Sequence, residues 1–219
     1  EGRRIFANTI KYVLMGTSSN FGNMFSAAGA SAFLRFLPML PSQILLNNLL
    51  YDAGQMTIPT DRVDEEQLER PARWDLRAIE RFMLVFGPVS SLFDFVTFAL
   101  MLGVFRAGPG TFRSAWFVES ICTQTLVIFV IRTRRVPFLR SRPSRPLLVA
   151  SLATAGVGAL LPVSPLAGLL GFGRLSPAFY LALVLMVGAY LVLVELVKGR
   201  FFRAEAAGRP LARPPAEPE

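Results

Sequence analysis

The chain has 219 residues, 53% of them hydrophobic and 17% charged, with a net charge of +8. A soluble domain carries nearer to about 25% charged residues, so this apolar excess, gathered in long blocks, calls for lipid. A single cysteine, Cys122 inside an apolar run, excludes a disulfide scaffold, and the lack of histidine or a second cysteine argues against a zinc or haem centre.

Apolar runs occupy about residues 8–32, 36–58, 82–105, 114–131, 147–170 and 177–197. Each approaches the roughly 20 residues that cross a bilayer as a helix, which predicts an all-α integral membrane protein built as a six-helix bundle over residues 1–200. The first run opens like a signal peptide, with Arg3 and Arg4 before it and Ala30-Ser31-Ala32 near its end. Five polar side chains, Thr17, Ser18, Ser19, Asn20 and Asn23, stand where such a peptide needs its apolar core, so the run is read as a span. The second run carries Pro38, Pro41 and Gly54, which predict an interrupted helix. Between the second and third runs, residues 60–81 mix acidic residues with arginines and read as a solvated loop containing a short helix. Residues 140–146, with Arg140, Arg142 and Arg145 among serines and prolines, form a basic turn suited to anionic headgroups. Residues 201–219, rich in proline, are expected to be a disordered cytoplasmic tail.

Basic residues decide which way the spans face. The start of the chain, residues 62–81, residues 132–145 and the end of the chain together hold nineteen of the 23 lysines and arginines, and the alternate connections hold four: Arg35, Arg106, Arg113 and Arg174. Under the positive-inside rule, six crossings with both termini cytoplasmic is the expected topology. The charge then belongs to membrane orientation, and a nucleic-acid role is excluded with it.

A carboxylate inside a span costs about 2.5 to 3.5 kcal/mol on the insertion scale, so each one needs a reason. Glu195 lies one turn before Lys198 near the cytoplasmic end and is expected to pair with it or to snorkel. Asp94 and Glu119, with Gln124 in the same span as Glu119, either bond neighbouring helices or belong to a site. Asp52 has richer company. Asn48, Asp52 and Gln55 stand at i, i+4 and i+7, one stripe of a helix, and Asn20 and Asn23 share a face of the preceding span. Two spans joined by a short loop run antiparallel, which predicts that the stripes meet at similar depth. With the Tyr51 hydroxyl nearby, all the ligands are hard oxygens. They suit magnesium, calcium or an alkali cation, and the single charge favours a cation that keeps part of its water, as magnesium does. The bland alternative is that the amides only bond helices together.

The stretch Glu1-Gly-Arg-Arg-Ile-Phe-Ala-Asn8 through Tyr12, followed by Ser18-Ser-Asn-Phe-Gly-Asn23, resembles the fifth transmembrane helix of P-type ATPases. Phe36-Leu-Pro-Met-Leu-Pro41, Asn48-Leu-Leu-Tyr-Asp52, Gly87-Pro-Val-Ser-Ser-Leu-Phe-Asp94 and the stretch from Ser120 to Thr133 are similar to the bacterial magnesium-transporting branch. The likeness runs to about residue 200 and is weaker in the last two spans. It implies the carboxy-terminal block, helices five to ten, of a magnesium pump of the bacterial inner membrane. It further implies that cation ligands lie at Asn20, Asn23, Asn48, Tyr51 and Asp52, with a contribution near Glu119. In calcium pumps the position matching Asn23 is glutamate, and the amide here agrees with the magnesium branch. The family's D-K-T-G-T, T-G-E-S and G-D-G-x-N-D motifs do not occur in these 219 residues. ATP hydrolysis is therefore expected in segments outside them, with the amino-terminal remainder of a pump as partner, whether the chain is an excised piece, a gene fragment or one chain of a split pump. The alternative is a free-standing or remnant six-helix protein that binds or conducts cations passively.

Overall fold

A computed structural model describes residues 2–64 and 75–207. Six long helices account for nearly all of it: α1 (Gly2–Ser31), α2 (Pro41–Gln55), α3 (Leu76–Ala99), α4 (Pro109–Leu126), α5 (Arg145–Leu160) and α6 (Pro177–Ala207). A π-helical turn, Leu100–Val104, extends α3, and a further turn, Ile128–Ile131, extends α4. With these extensions α3, α4, α5 and α6 are each long and apolar enough to cross a membrane. The protein is an all-α membrane bundle. Much of the expected loop at residues 60–81 lies outside the described residues, as do residues 208–219 of the expected tail, whereas α6 runs on to Ala207.

Local chemistry sets the helix starts. Asp75 caps α3 by accepting from the Arg77 and Ala78 amides at 3.0 and 3.2 Å, and Ser144 caps α5 by accepting from the Leu147 amide at 3.3 Å. Pro41, Pro109 and Pro177 each stand at the start of α2, α4 and α6, where the missing N–H has no partner to lose. This explains a difference from the sequence expectation: Pro38 precedes α2 and Pro41 opens it, so neither breaks it, and α2 runs unbroken to Gln55. Gly54 serves packing, because a Cβ there would come within 3.1 Å of the Thr154 hydroxyl on α5.

α4 is the hub. Its residues from Ser114 to Thr125 are all buried, polar and apolar alike, because neighbouring helices cover it on every side. α1 packs chiefly along α3, and α2 against α5 and α4. The α1–α3 crossing is close at Gly87, where a Cβ would come within 2.5 Å of the Phe21 ring, and the Ser91 hydroxyl donates to the Gly22 carbonyl at 3.0 Å. Small residues at such a crossing let two backbones approach where lipid supplies no hydrophobic drive. The outer faces of α3, α5 and α6 carry exposed leucines and valines, among them Leu84, Leu92, Val149, Leu152, Leu181 and Val184, as lipid-facing surfaces do.

Contacts divide the bundle into two ends. At one, the buried Asp61 carboxylate accepts from Arg132 Nε at 2.7 Å and lies 3.5 Å from Lys11 Nζ, and the Asn8 amide donates to the Asp61 carbonyl. Lys198 of α6 joins the same end through the Val130 carbonyl at 3.0 Å and Glu195 at 2.6 Å, the pairing expected from sequence. At the other end Arg113 donates to the Leu37 carbonyl, Gln43 to the Leu170 carbonyl and the Gly173 amide to Gly110. Successive helices therefore alternate in direction. Among the described residues, the arginine-rich segments lie at the first end and the arginine-poor ones at the second.

Candidate functional site

α2 buries a different stripe from the one its sequence suggested. Gln43, Asn47, Tyr51 and Gln55, spaced four apart, face the interior together with Gly54, while Asn48 is half-buried and Asp52 is exposed. The rotation follows from packing: Gln43 donates to the Leu170 carbonyl, Gly54 lies against Thr154 of α5, and the Tyr51 hydroxyl and Gln55 meet α1 at Ser19 and Gly16, which leaves Asp52 on the open side. Gln55 belongs with the buried set, not with Asp52. On α1, Asn20 is exposed and Asn23 is half-buried.

Ser19 and Tyr51 join the two helices, the Ser19 hydroxyl donating to the Tyr51 oxygen at 3.1 Å. Asn20 and Asp52 each directly follow a member of this pair, so the two stand at the same depth in the bundle. Asn23 turns instead toward α4: its Oδ1 accepts from Gln124 Nε2 at 3.0 Å and from the Ser120 hydroxyl at 3.2 Å. Gln124 also bonds the Ser120 hydroxyl one turn earlier.

One turn along α1, a second polar group gathers around Asp94 of α3. Its Oδ2 accepts from the Ser26 hydroxyl at 2.5 Å and its Oδ1 from the Trp116 indole at 2.7 Å. The Glu119 carboxyl, fully buried on α4, lies against the Asp94 carboxyl and beside the Thr123 hydroxyl. Gln124 Oε1 is without a donor, and in Asn47 the Oδ1 lacks a donor and the Nδ2 an acceptor. Buried polar atoms in a membrane bundle are normally satisfied, so these are the places where water or a cation has oxygens to meet.

The candidate residues thus form two groups. An open one comprises Asn20, Asn48 and Asp52 beside the Ser19–Tyr51 bond, and a closed one comprises Asn23, Gln124, Asp94 and Glu119. Among the described residues no three acidic, histidine or cysteine side chains come together as a metal cluster. The open group offers one carboxylate and amide oxygens, which fits a cation that keeps part of its water and takes further ligands from elsewhere. Sequence reasoning missed Asn47, Ser26 and Trp116. A period-four run of polar side chains, Gln43, Asn47, Tyr51 and Gln55, was the signal for the first, and nothing in the spacing marked the other two.

A family model described as "Cation transporting ATPase, C-terminus" matches residues 36–200. The chain is 50% identical over 207 residues to a magnesium-transporting ATPase, P-type 1, of Escherichia coli K12 and to one of Salmonella typhimurium 14028s, covering 93% of this chain. A second protein of the same name in Salmonella typhimurium LT2 is 43% identical over 206 residues, 92% of this chain. The chain spans 23% of the length of each of these relatives. With the match to the family model covering most of a six-helix bundle, the chain belongs to the family of cation-transporting ATPase C-terminal domains.

Proposed function

We propose that the chain is the membrane part of a P-type magnesium pump, supplying intramembrane cation ligands while ATP is hydrolysed in other segments. The observation that carries this reading is the 50% identity, over 93% of the chain, to bacterial proteins named as magnesium-transporting ATPases. Magnesium is the cargo. Asp52 supplies the negative charge of its site, Asn20, Asn48 and Tyr51 supply neutral oxygens, and Asn23, held by Gln124 and Ser120 one turn along α1 from Asn20, is the fifth proposed ligand. The exposure of Asn20 and Asp52 supports a site completed by helices of the amino-terminal remainder, which is the proposed partner. The membrane is the bacterial inner membrane, and the arginine-rich end of the bundle faces the cytoplasm.

The test is reassembly. Expressed with the preceding segments of a 50%-identical relative in a bacterium lacking its own magnesium uptake, the chain should restore growth at limiting magnesium. Failure of a stably assembled pair to restore growth would contradict the proposal.

A further inference from the structure

The connection between α4 and α5 is stiff inside and amphipathic outside. Arg132, 2% exposed, donates to the Ser141 hydroxyl and carbonyl at 3.2 and 3.3 Å and to the Arg142 carbonyl at 3.1 Å. Asp64 accepts from the Ser141 hydroxyl at 2.8 Å, and the Phe138 amide donates to the Ser141 carbonyl at 3.0 Å. The loop so held presents apolar side chains outward: Leu139 is 84% exposed, Phe138 49% and Val136 45%. Phe138 has φ +62°, a left-handed conformation that bulky residues rarely adopt, and its ring packs on Phe129 at 5.3 Å. Strain held at an exposed aromatic points to a use for the tip.

Charge surrounds this apolar tip. Residues 133–149 contain five arginines and no acidic residue. Arg134, Arg135 and Arg140 line a cavity of about 620 Å³ with Val136, and Arg140, Arg142 and Arg145 are exposed. The loop also sits at the right depth. It joins the end of one span at Ile131 to the start of the next at Arg145, and Lys198 near the end of a third reaches the Arg135 carbonyl at 3.1 Å. Apolar side chains beside arginines at the edge of a bilayer match a phospholipid, which offers acyl chains and a phosphate within a few ångströms of each other.

We propose that the loop over residues 134–145 binds the phosphodiester headgroup of an anionic phospholipid, with Phe138 and Leu139 seated among the acyl chains and Arg140, Arg142 and Arg145 closing on the phosphate. The proposal rests on the membrane architecture and stands apart from the transport reading. The full chain, purified in detergent and stripped of lipid, is titrated with phosphatidylglycerol and with phosphatidylcholine, and binding is read by native mass spectrometry. The wild-type chain should favour phosphatidylglycerol. The combined Arg140→Gln, Arg142→Gln and Arg145→Gln variant should lose about a hundredfold of that affinity, roughly fivefold per arginine. Arg77→Gln with Arg81→Gln, at the same end of the bundle, should lose little, and Leu139→Ser should weaken both lipids alike. Thermal unfolding checks that each variant is folded, and Arg140→Gln alone replaces the triple variant if that one is not. The proposal is overturned if the folded variant binds phosphatidylglycerol as the wild type does, if the Arg77 and Arg81 pair costs as much, or if inorganic phosphate displaces the lipid and so marks a site for soluble phosphate.

Discussion

Asn23 has two donors on one oxygen, from Gln124 and Ser120, and that arrangement decides what a substitution there would do. A glutamate at this position keeps an acceptor for both donors and adds a second negative charge beside the Asp52 group. Magnesium demands near-octahedral oxygens at about 2.0 to 2.1 Å and sheds water reluctantly, whereas calcium takes six to eight ligands at about 2.3 to 2.6 Å and welcomes carboxylates. Asn23→Glu in a reassembled pump should therefore raise calcium affinity relative to magnesium, by tenfold or so if the new carboxylate ligates, at about 1.4 kcal/mol per decade. Competition of calcium against magnesium-stimulated turnover measures it. An unchanged preference in a well-folded variant would leave Asn23 as a packing amide tied to α4. At the arginine-rich end, Asp61 is a second test at single-residue scale. Its side chain is fully buried between Arg132 and Lys11, so Asp61→Ala leaves two buried cations without their counter-charge and should cost about 3 to 5 kcal/mol of stability. The lowered midpoint of thermal unfolding in detergent reports this loss.

At the scale of elements, the six helices were legible because each apolar run approaches a bilayer's length and several have a start signal, as at Pro41, Asp75, Pro109 and Ser144, although among the described residues only α3 to α6 form helices long and apolar enough to cross a membrane. The face that each helix buries was less legible. In α2 every polar residue from Asn47 to Gln55 fits some helical stripe, and only the packing against α4 and α5 selects Asn47 and Tyr51 over Asn48 and Asp52. Spacing along one helix cannot reveal that choice, since it depends on which neighbour arrives. For the same reason Ser26 and Trp116, which meet Asp94 from two other helices, left no trace in the sequence pattern. Arg132 and Lys198 count toward the positive-inside rule, yet both are buried, with their charges spent on carbonyls and carboxylates inside the bundle. Gly158 shows the tolerance of the α4–α5 contact, because a Cβ there would come within 2.4 Å of the Ile121 side chain. Gly158→Val should thus separate the two helices and destabilise the chain by about 1 to 3 kcal/mol, read as a lower unfolding midpoint.

At the scale of the whole molecule, alternation of the helices predicts which positions share a side of the membrane. In a Cys122→Ser background, cysteines at Arg142 and at Gly108, both exposed and at opposite ends of the bundle, should react with impermeant thiol reagents from opposite sides. Cys122 itself, 7% exposed within α4, should stay unlabelled in the intact chain. Same-sided labelling of positions 108 and 142 would end the six-crossing topology. The proposed magnesium site lies on the open face of α1 and α2 and draws its only charge from Asp52. Its most direct measurement is magnesium uptake by the reassembled pump carrying Asp52→Asn. The exchange keeps the side chain's size and removes the charge that offsets cation dehydration. The account predicts a correctly inserted, folded pump with uptake reduced to background, and uptake close to that of the unsubstituted pump would contradict it.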